Sequence, residues 1–170
     1  VSLYFQPDFA VTPSGSSTGN FAQLRDLYAD IAFDAAKAFR VRIGQSKVPF
    51  GFENLQSSQN RLALDRNDAI NSCCKDERDI GAFVYWAPEA MRARFSELVA
   101  SGLKGSGDYG VVAFGAYNGQ GANRSDRNDG YHLVARFSYP LQLPSGKIFE
   151  AGIQGYRGRY VPTADPGVLH

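Results

Sequence analysis

The chain is poor in cysteine, in histidine and in long apolar runs, and its charges almost cancel. Its two cysteines, Cys73 and Cys74, are neighbours. Adjacent thiols rarely bridge each other, which excludes a disulfide framework and a thiolate zinc site at its usual spacing and leaves two loop thiols. Only His132 and His170 carry an imidazole. The sequence sets no serine–acid pair beside either to make a triad, and it has no phosphate-cradling glycine motif. The expectation is therefore that the protein is not an enzyme and needs no cofactor or metal. The loop "NGQGANRSDRNDG" fails the calcium spacing of an EF-hand, since Ser125 and Arg127 stand where acids are needed. The 18 Lys and Arg against 17 Asp and Glu argue against a nucleic-acid partner. No stretch approaches the roughly 18 apolar residues of a spanning helix. The chain opens in "VSLYFQPDFA", without a starting Met or a charged-then-apolar leader, so it is expected to be a mature protein or a piece of a longer one.

Aromatics are abundant, at 13% with nine Tyr and twelve Phe, and strand patterns dominate. Leu27, Ala29, Ile31 and Phe33 alternate with Tyr28, Asp30, Ala32 and Asp34. After a short turn, Phe39, Val41 and Ile43 alternate with Arg40, Arg42 and Gly44. Period two with one apolar face marks half-buried strands. Opposed residues of an antiparallel pair share a face, so the apolar faces match if a turn over Ala35 to Lys37 sets Phe33 opposite Phe39, Ile31 opposite Val41 and Asp30 opposite Arg42. A second hairpin follows the same plan. Tyr131, Leu133, Ala135 and Phe137 alternate with His132, Val134, Arg136 and Ser138. After "PLQLPSG", Phe149, Ala151 and Ile153 alternate with Glu150, Gly152 and Gln154. Matching faces here pairs Phe137 with Phe149 and Arg136 with Glu150. Both hairpins thus set an acid against an arginine on the polar side.

Strands are expected at roughly 2–10, 24–34, 39–47, 79–86, 108–118, 130–139 and 147–161. Between the fourth and fifth, Pro88 suits a first helical turn, Met91, Phe95 and Leu98 recur at helical spacing, and Gly102 is a stop. A short amphipathic helix is predicted there. The connectors alternate, compact after Asp34, Trp86 and Tyr139 and long and polar at 11–20, 48–78 and 119–130. Short turns on one side and long loops on the other is the layout of an outer-membrane β-barrel. The strand lengths suit a tilted strand crossing a bilayer. Phe33, Phe39, Tyr85, Trp86, Tyr109, Phe137, Tyr139 and Phe149 fall near the short-turn ends, and Tyr117, Tyr131, Tyr156 and Tyr160 near the long-loop ends. Two aromatic bands, one at each water interface, are expected of such barrels. An odd number of strands with open edges does not close in lipid, so the expectation is a segment with strands missing on both sides. A water-soluble β-sandwich or barrel binding module would share the alternation but would bury its apolar faces.

The run "FRVRIGQSKVPFGFENLQSSQNRLALDRNDAIN" resembles the phosphate-selective porin O and P family of Gram-negative outer membranes, and "RIGQSKVPFGFENLQSS" is its most recognisable piece. "LRDLYADIAF", "ERDIGAFVYW" and "GVVAFGAYNGQG" fit the same pattern. The resemblance implies an all-β, antiparallel, sixteen-stranded transmembrane barrel in the bacterial outer membrane, of which about seven strands are present here. It implies three copies per assembly and passive uptake of phosphate or related small anions. It also implies a loop folded into the lumen, and 48–78 stands where that constriction loop belongs, with Arg61, Arg66 and Lys75 set among Asp65, Asp68, Asp76 and Glu77. That mixed charge leaves a general, non-selective porin as the alternative. The insertion from Pro88 to Gly107 is not something the family leads one to expect.

An arginine held against hydrocarbon at the bilayer midplane costs about 2–4 kcal/mol. The faces bearing Arg40, Arg42 and Arg136 therefore look inward to water. Guanidinium groups suit oxyanions, and these three are the expected pore-lining cations, joined by His132 and Lys47. Asp30 and Glu150 are their expected acidic partners, with Asp26 a further carboxylate on the same side. Lys47 closes its strand, where it anchors the loop or meets solute. Arg157 and Arg159 stand near the long-loop rim, placed for lipopolysaccharide phosphates or for solvent.

Overall fold

The computed structural model describes residues 1–9, 22–57, 77–102, 105–126 and 128–159. Among them run seven strands and two helices. The strands are β1 (Ser2–Phe9), β2 (Ala22–Ala32), β3 (Phe39–Lys47), β4 (Arg78–Trp86), β5 (Val112–Tyr117), β6 (His132–Gln142) and β7 (Ile148–Arg157); the helices are α1 (Phe52–Leu55) and α2 (Glu89–Ala100). The strands form one sheet in chain order, every neighbouring pair antiparallel, and the sheet is open at β1 and β7. This is the all-β meander expected of a porin segment. No described helix is long and apolar enough to cross a membrane.

The first hairpin has the predicted register: Asp30 lies opposite Arg42 and Ile31 opposite Val41. Phe33 N donates to Phe39 O at 3.1 Å, and the two rings meet edge-on with centroids 6.1 Å apart. The second hairpin departs from prediction. Phe137 lies opposite Ile153 and Arg136 opposite Gln154, four residues further along β7 than Phe149 and Glu150. The strands run on to Gln142 and resume at Ile148, so the turn is tight, closed by Leu143 N donating to Lys147 O at 2.8 Å. Strand β5 begins at Val112 rather than Asp108. The residues ahead of it belong to the insertion.

One face of the sheet is continuously apolar and exposed. Leu3 and Phe5, then Leu27, Phe39 and Ile43, then Trp86, Val112 and Phe114, then Phe137, Tyr139, Phe149 and Ile153 occupy it, all at least 40% exposed. By register the charged positions of that parity are Lys47 opposite Arg78, whose side chains are largely covered, and Arg157, opposite Leu133. The opposite face carries the acids and arginines and is largely covered. Strand β6 makes the contrast plain: its residues alternate between buried and more exposed from His132 to Pro140. A soluble sandwich would bury the apolar face; here it is the polar face that is packed.

The aromatic band at the short-turn ends holds for Phe33, Phe39, Trp86, Phe137, Tyr139 and Phe149, all exposed. Tyr85 does not belong to it, since it is on the inner face and 1% exposed, and Tyr109 packs beside it. The second band does not form among the described residues. Tyr117 is buried, and Tyr156 shares the inner face with Val134; only Tyr131, at 70% exposed, stands clear. Inner and outer aromatics share the same strand ends, so position along a strand alone does not sort them. Tyr160 lies outside the described residues.

Candidate functional site

The inner face is built from the polar positions of the strands. In the first hairpin Arg42 grips Asp30 with two bonds of 2.7 Å, from Nε to Oδ1 and from Nη2 to Oδ2. Its guanidinium lies 3.9 Å from the centroid of the Tyr28 ring, which stacks in turn on Tyr4. This is the fork-to-fork geometry that makes arginine–carboxylate pairs strong. Arg40, two residues back on the same face, reaches Asp108 Oδ1 at 2.8 Å and also bonds the Asp108 carbonyl. Arg136 makes a looser pair, 3.4 Å to Glu150 Oε1, because Ser106 Oγ stands between them. It accepts from Arg136 Nη2 at 2.9 Å and donates to Glu150 at 2.5 Å. All three arginines are buried to within 8% exposure. Each of the expected cations thus has a carboxylate: Asp30 and Glu150 take Arg42 and Arg136, while Arg40 takes Asp108.

Lys47 closes β3 over the start of the long loop. Its Nζ donates to Asn54 O and Gln56 O, both at 2.8 Å, and lies 3.6 Å from Glu77. The loop's first residues cross the inner face. Val48 is fully buried against Phe83, Tyr85, Tyr117 and Val134, with Phe50 packed beside it. Gly51 N donates to Gln154 on β7 at 2.9 Å, and Phe50 meets Tyr156 with ring centroids 5.1 Å apart. The strand-then-loop run thus does two things. Its alternating arginines sit in the polar wall, and its Val48-Pro49-Phe50 segment dries an apolar patch on that wall at about 1.5–3 kcal/mol per fully buried side chain. Arg61, Arg66 and Lys75, and with them Cys73 and Cys74, lie outside the described residues.

His132 faces inward but not into open space. It is 2% exposed, stacked edge-on with Tyr117 at 5.2 Å, and closed in by Gly119 and Gly158. Neither ring nitrogen takes a hydrogen bond.

Two groups emerge that strand alternation did not single out. Arg78, at the start of β4, bonds both oxygens of Asp26 at 3.0 and 3.1 Å and Glu77 at 2.9 Å. Ser106, Asp108 and Tyr109 come from the insertion and lie on the arginine face. The signal for the second group was the glycine density of Gly102, Gly105, Gly107 and Gly110. At Gly110, with φ +76, a Cβ would lie 2.7 Å from Val112 O and 3.1 Å from Trp86 O, so only glycine lets the chain return to the sheet there. A cavity of about 660 Å³ remains between the wall and these covering segments, lined by Asp26, Tyr28, Arg42, Lys47, Arg78 and Tyr109 among others.

Chemically, this is a charged, aromatic-lined cleft on the covered side of a sheet whose other side is apolar and exposed. Neither the comparison with curated proteins nor that with solved structures returned a match. The family model described as phosphate-selective porin O and P matches residues 1–169, essentially the whole length. The chain therefore belongs to the phosphate-selective porin O and P family, a family of channels.

Proposed function

We propose that this chain forms part of the wall of an outer-membrane channel through which small solutes, phosphate-like anions among them, diffuse passively. The observation that carries the proposal is the division of the sheet. Its apolar rows, from Leu3 and Phe5 on β1 to Ile153 on β7, are exposed, while Arg40, Arg42 and Arg136 are on the covered side. Lipid solvates the first set and water in a lumen the second. In the working channel, further strands pair with the free edges of β1 and β7, since bare edges are not tolerated in hydrocarbon. Three such barrels assemble together, as the family resemblance implies. At the long-loop rim Arg157 and Arg159 are exposed and meet lipopolysaccharide phosphates.

Anion preference rests on guanidinium groups beside the cavity. Arg42 commits two of its five N–H donors to Asp30 and lines the cavity as well. Held in place and weakly hydrated, such groups attract oxyanions without trapping them. A specific observation favours a second reading, a general pore: Asp26, Asp30, Asp108 and Glu150 offset the inner-face arginines.

The test is planar-bilayer recording of the full-length porin. Discrete conductance steps are expected, with a reversal potential in a potassium chloride gradient on the chloride side and a chloride current reduced by added phosphate. Steps with no ion preference and no effect of phosphate would assign the general pore. A protein that yields no steps and stays in buffer without detergent would end the channel reading.

A further inference from the structure

The insertion between β4 and β5 does more than connect them. Helix α2 stands at the short-turn end, where Arg92 Nη1 donates to Ala36 O at 2.8 Å and Arg94 Nη1 to Pro140 O at 2.8 Å, so it touches both neighbouring short turns. Phe95 is fully buried with Ala87 and Val111, which fixes the helix to the sheet. The segment after it then turns inward. Ser106 is 1% exposed, between Arg136 and Glu150, and Tyr109 stands edge-on to Tyr85 at 6.3 Å. Arg136 Nη1 bonds Gly110 O at 3.1 Å. Asp108 is the hub: one oxygen takes Arg40 at 2.8 Å and the other takes Arg92 Nε at 2.9 Å. Leu55, Gln56 and Ser57 of the long loop and Val99, Gly105 and Gly107 of the insertion line one cavity. Two covering segments, one from each end of the strands, thus approach over the same stretch of wall.

We infer that the Pro88–Gly110 insertion is a second constriction of the channel, at its short-turn mouth, and that Asp108 is the residue that sets the ion preference there. This rests on the channel reading above and specifies which residue tunes it. One carboxylate serves two guanidinium groups, so the Arg40–Asp108–Arg92 cluster carries a net single positive charge. Removing the carboxylate doubles it, among side chains no more than 22% exposed, where charges are screened less than in open water. The inner-face pairs Arg42 with Asp30 and Arg136 with Glu150 are each one to one and carry no net charge. Asp108 thereby holds back anion preference that Arg40 and Arg92 together would otherwise express.

The experiment uses the full-length porin in planar bilayers, comparing the parent with Asp108→Asn and Asp108→Glu in a potassium chloride gradient. Asp108→Asn is expected to raise the chloride-to-potassium permeability ratio about two- to threefold, while Asp108→Glu keeps the parental value. A third variant, with 90–106 replaced by a short glycine–serine turn, is expected to raise single-channel conductance about twofold and to admit larger anions. Parental steps with an unchanged ratio in Asp108→Asn and an unchanged conductance in the shortened variant would overturn the inference while leaving the channel intact. Absence of steps in the parent would instead overturn the reading beneath it. Should the shortened variant not fold, the Asp108→Asn ratio alone decides.

Discussion

The two hairpins β2–β3 and β6–β7 follow one plan in sequence and differ in structure. In the first, acid and arginine lie directly opposite and bond twice at 2.7 Å. In the second, Glu150 lies opposite Pro140, four residues along the strand from Gln154, which faces Arg136, and the pair stretches to 3.4 Å. The first is a local device, complete within its own two strands. The second is a hub. Glu150 also accepts from Ser138 Oγ at 2.9 Å and from Ser106, tying the hairpin to an insertion that arrives from elsewhere in the chain. Distance alone would rank the first pair as the more important. Burial ranks them the other way, because Arg42 lines a cavity that water can enter and keeps the Tyr28 ring, whereas Arg136 and Glu150 are only 4% and 8% exposed.

The sharpest way to break that comparison is to remove each acid. Asp30→Ala leaves Arg42 its cation–π partner and access to water, so a loss of about 2 kcal/mol is expected. Glu150→Ala leaves a charged Arg136 with only the neutral oxygens of Ser106 and Gly110, for a loss of about 4 kcal/mol. Urea unfolding of the full-length porin refolded into lipid vesicles measures both. If Asp30→Ala proves the costlier, direct opposition on the sheet outweighs burial, and the hub role of Glu150 falls.

The same pair of hairpins marks what was legible in the sequence. Alternation gave both apolar faces and, through the cost of arginine in lipid, which of them looks outward. Face matching gave the first register correctly, since the short turn it assumes sets Ile31 opposite Val41 and Asp30 opposite Arg42, as observed. It misplaced the second because a slip by an even number of residues returns every side chain to its own face. Only turn chemistry distinguishes such slips, and there the signal was present in Leu143-Pro144-Ser145-Gly146-Lys147, where proline suits the second turn position and glycine a positive φ. Periodicity puts Arg40, Arg42 and Arg136 on one face, and the cost of arginine in lipid makes it the inner one. That Arg40 meets Asp108 was not legible, since 68 residues separate them and no pattern links a strand to a glycine-rich connector. His132 shared the parity of the wall, but its closure by Gly119 and Gly158 is a tertiary fact.

A milder comparison concerns the turns themselves. Gly146 takes φ +79 with nothing within 4 Å of a would-be Cβ, so Gly146→Val meets no clash and only backbone strain. A loss of about 1–2 kcal/mol is expected. The first turn uses Lys37 at φ 53, a conformation that glycine adopts freely. Lys37→Gly is expected to gain about 0.5 kcal/mol, the relief of strain being partly offset by a floppier unfolded chain. The shift in urea midpoint reports both, and equal effects of the same sign would show that the turns do not differ in how they hold their strained residue.

The smallest effect separates the turns by pH. The β6–β7 turn is closed by backbone bonds, Leu143 N to Lys147 O and Gly146 N to Leu143 O. The β2–β3 turn adds a carboxylate: Asp34 accepts from Phe39 N at 3.1 Å and Ala38 N at 3.0 Å, and these backbone donors hold its pKa below the ordinary carboxylate value. A carboxylate with a lowered folded-state pKa stabilises fully above its unfolded value, and that contribution fades as pH falls through the folded-state value. Asp34→Ala is therefore expected to lower the urea midpoint slightly at about pH 6, with the gap to the parent closing as pH falls through the lowered folded-state value, below which neither carries charge at this site. Asp34→Asn, which keeps one acceptor oxygen and loses the charge, is expected to fall between them at about pH 6, with its smaller gap to the parent closing over the same pH range. A gap that stays constant with pH would mean that the turn is held by its backbone alone, as the other is, and that the two hairpins differ only in register.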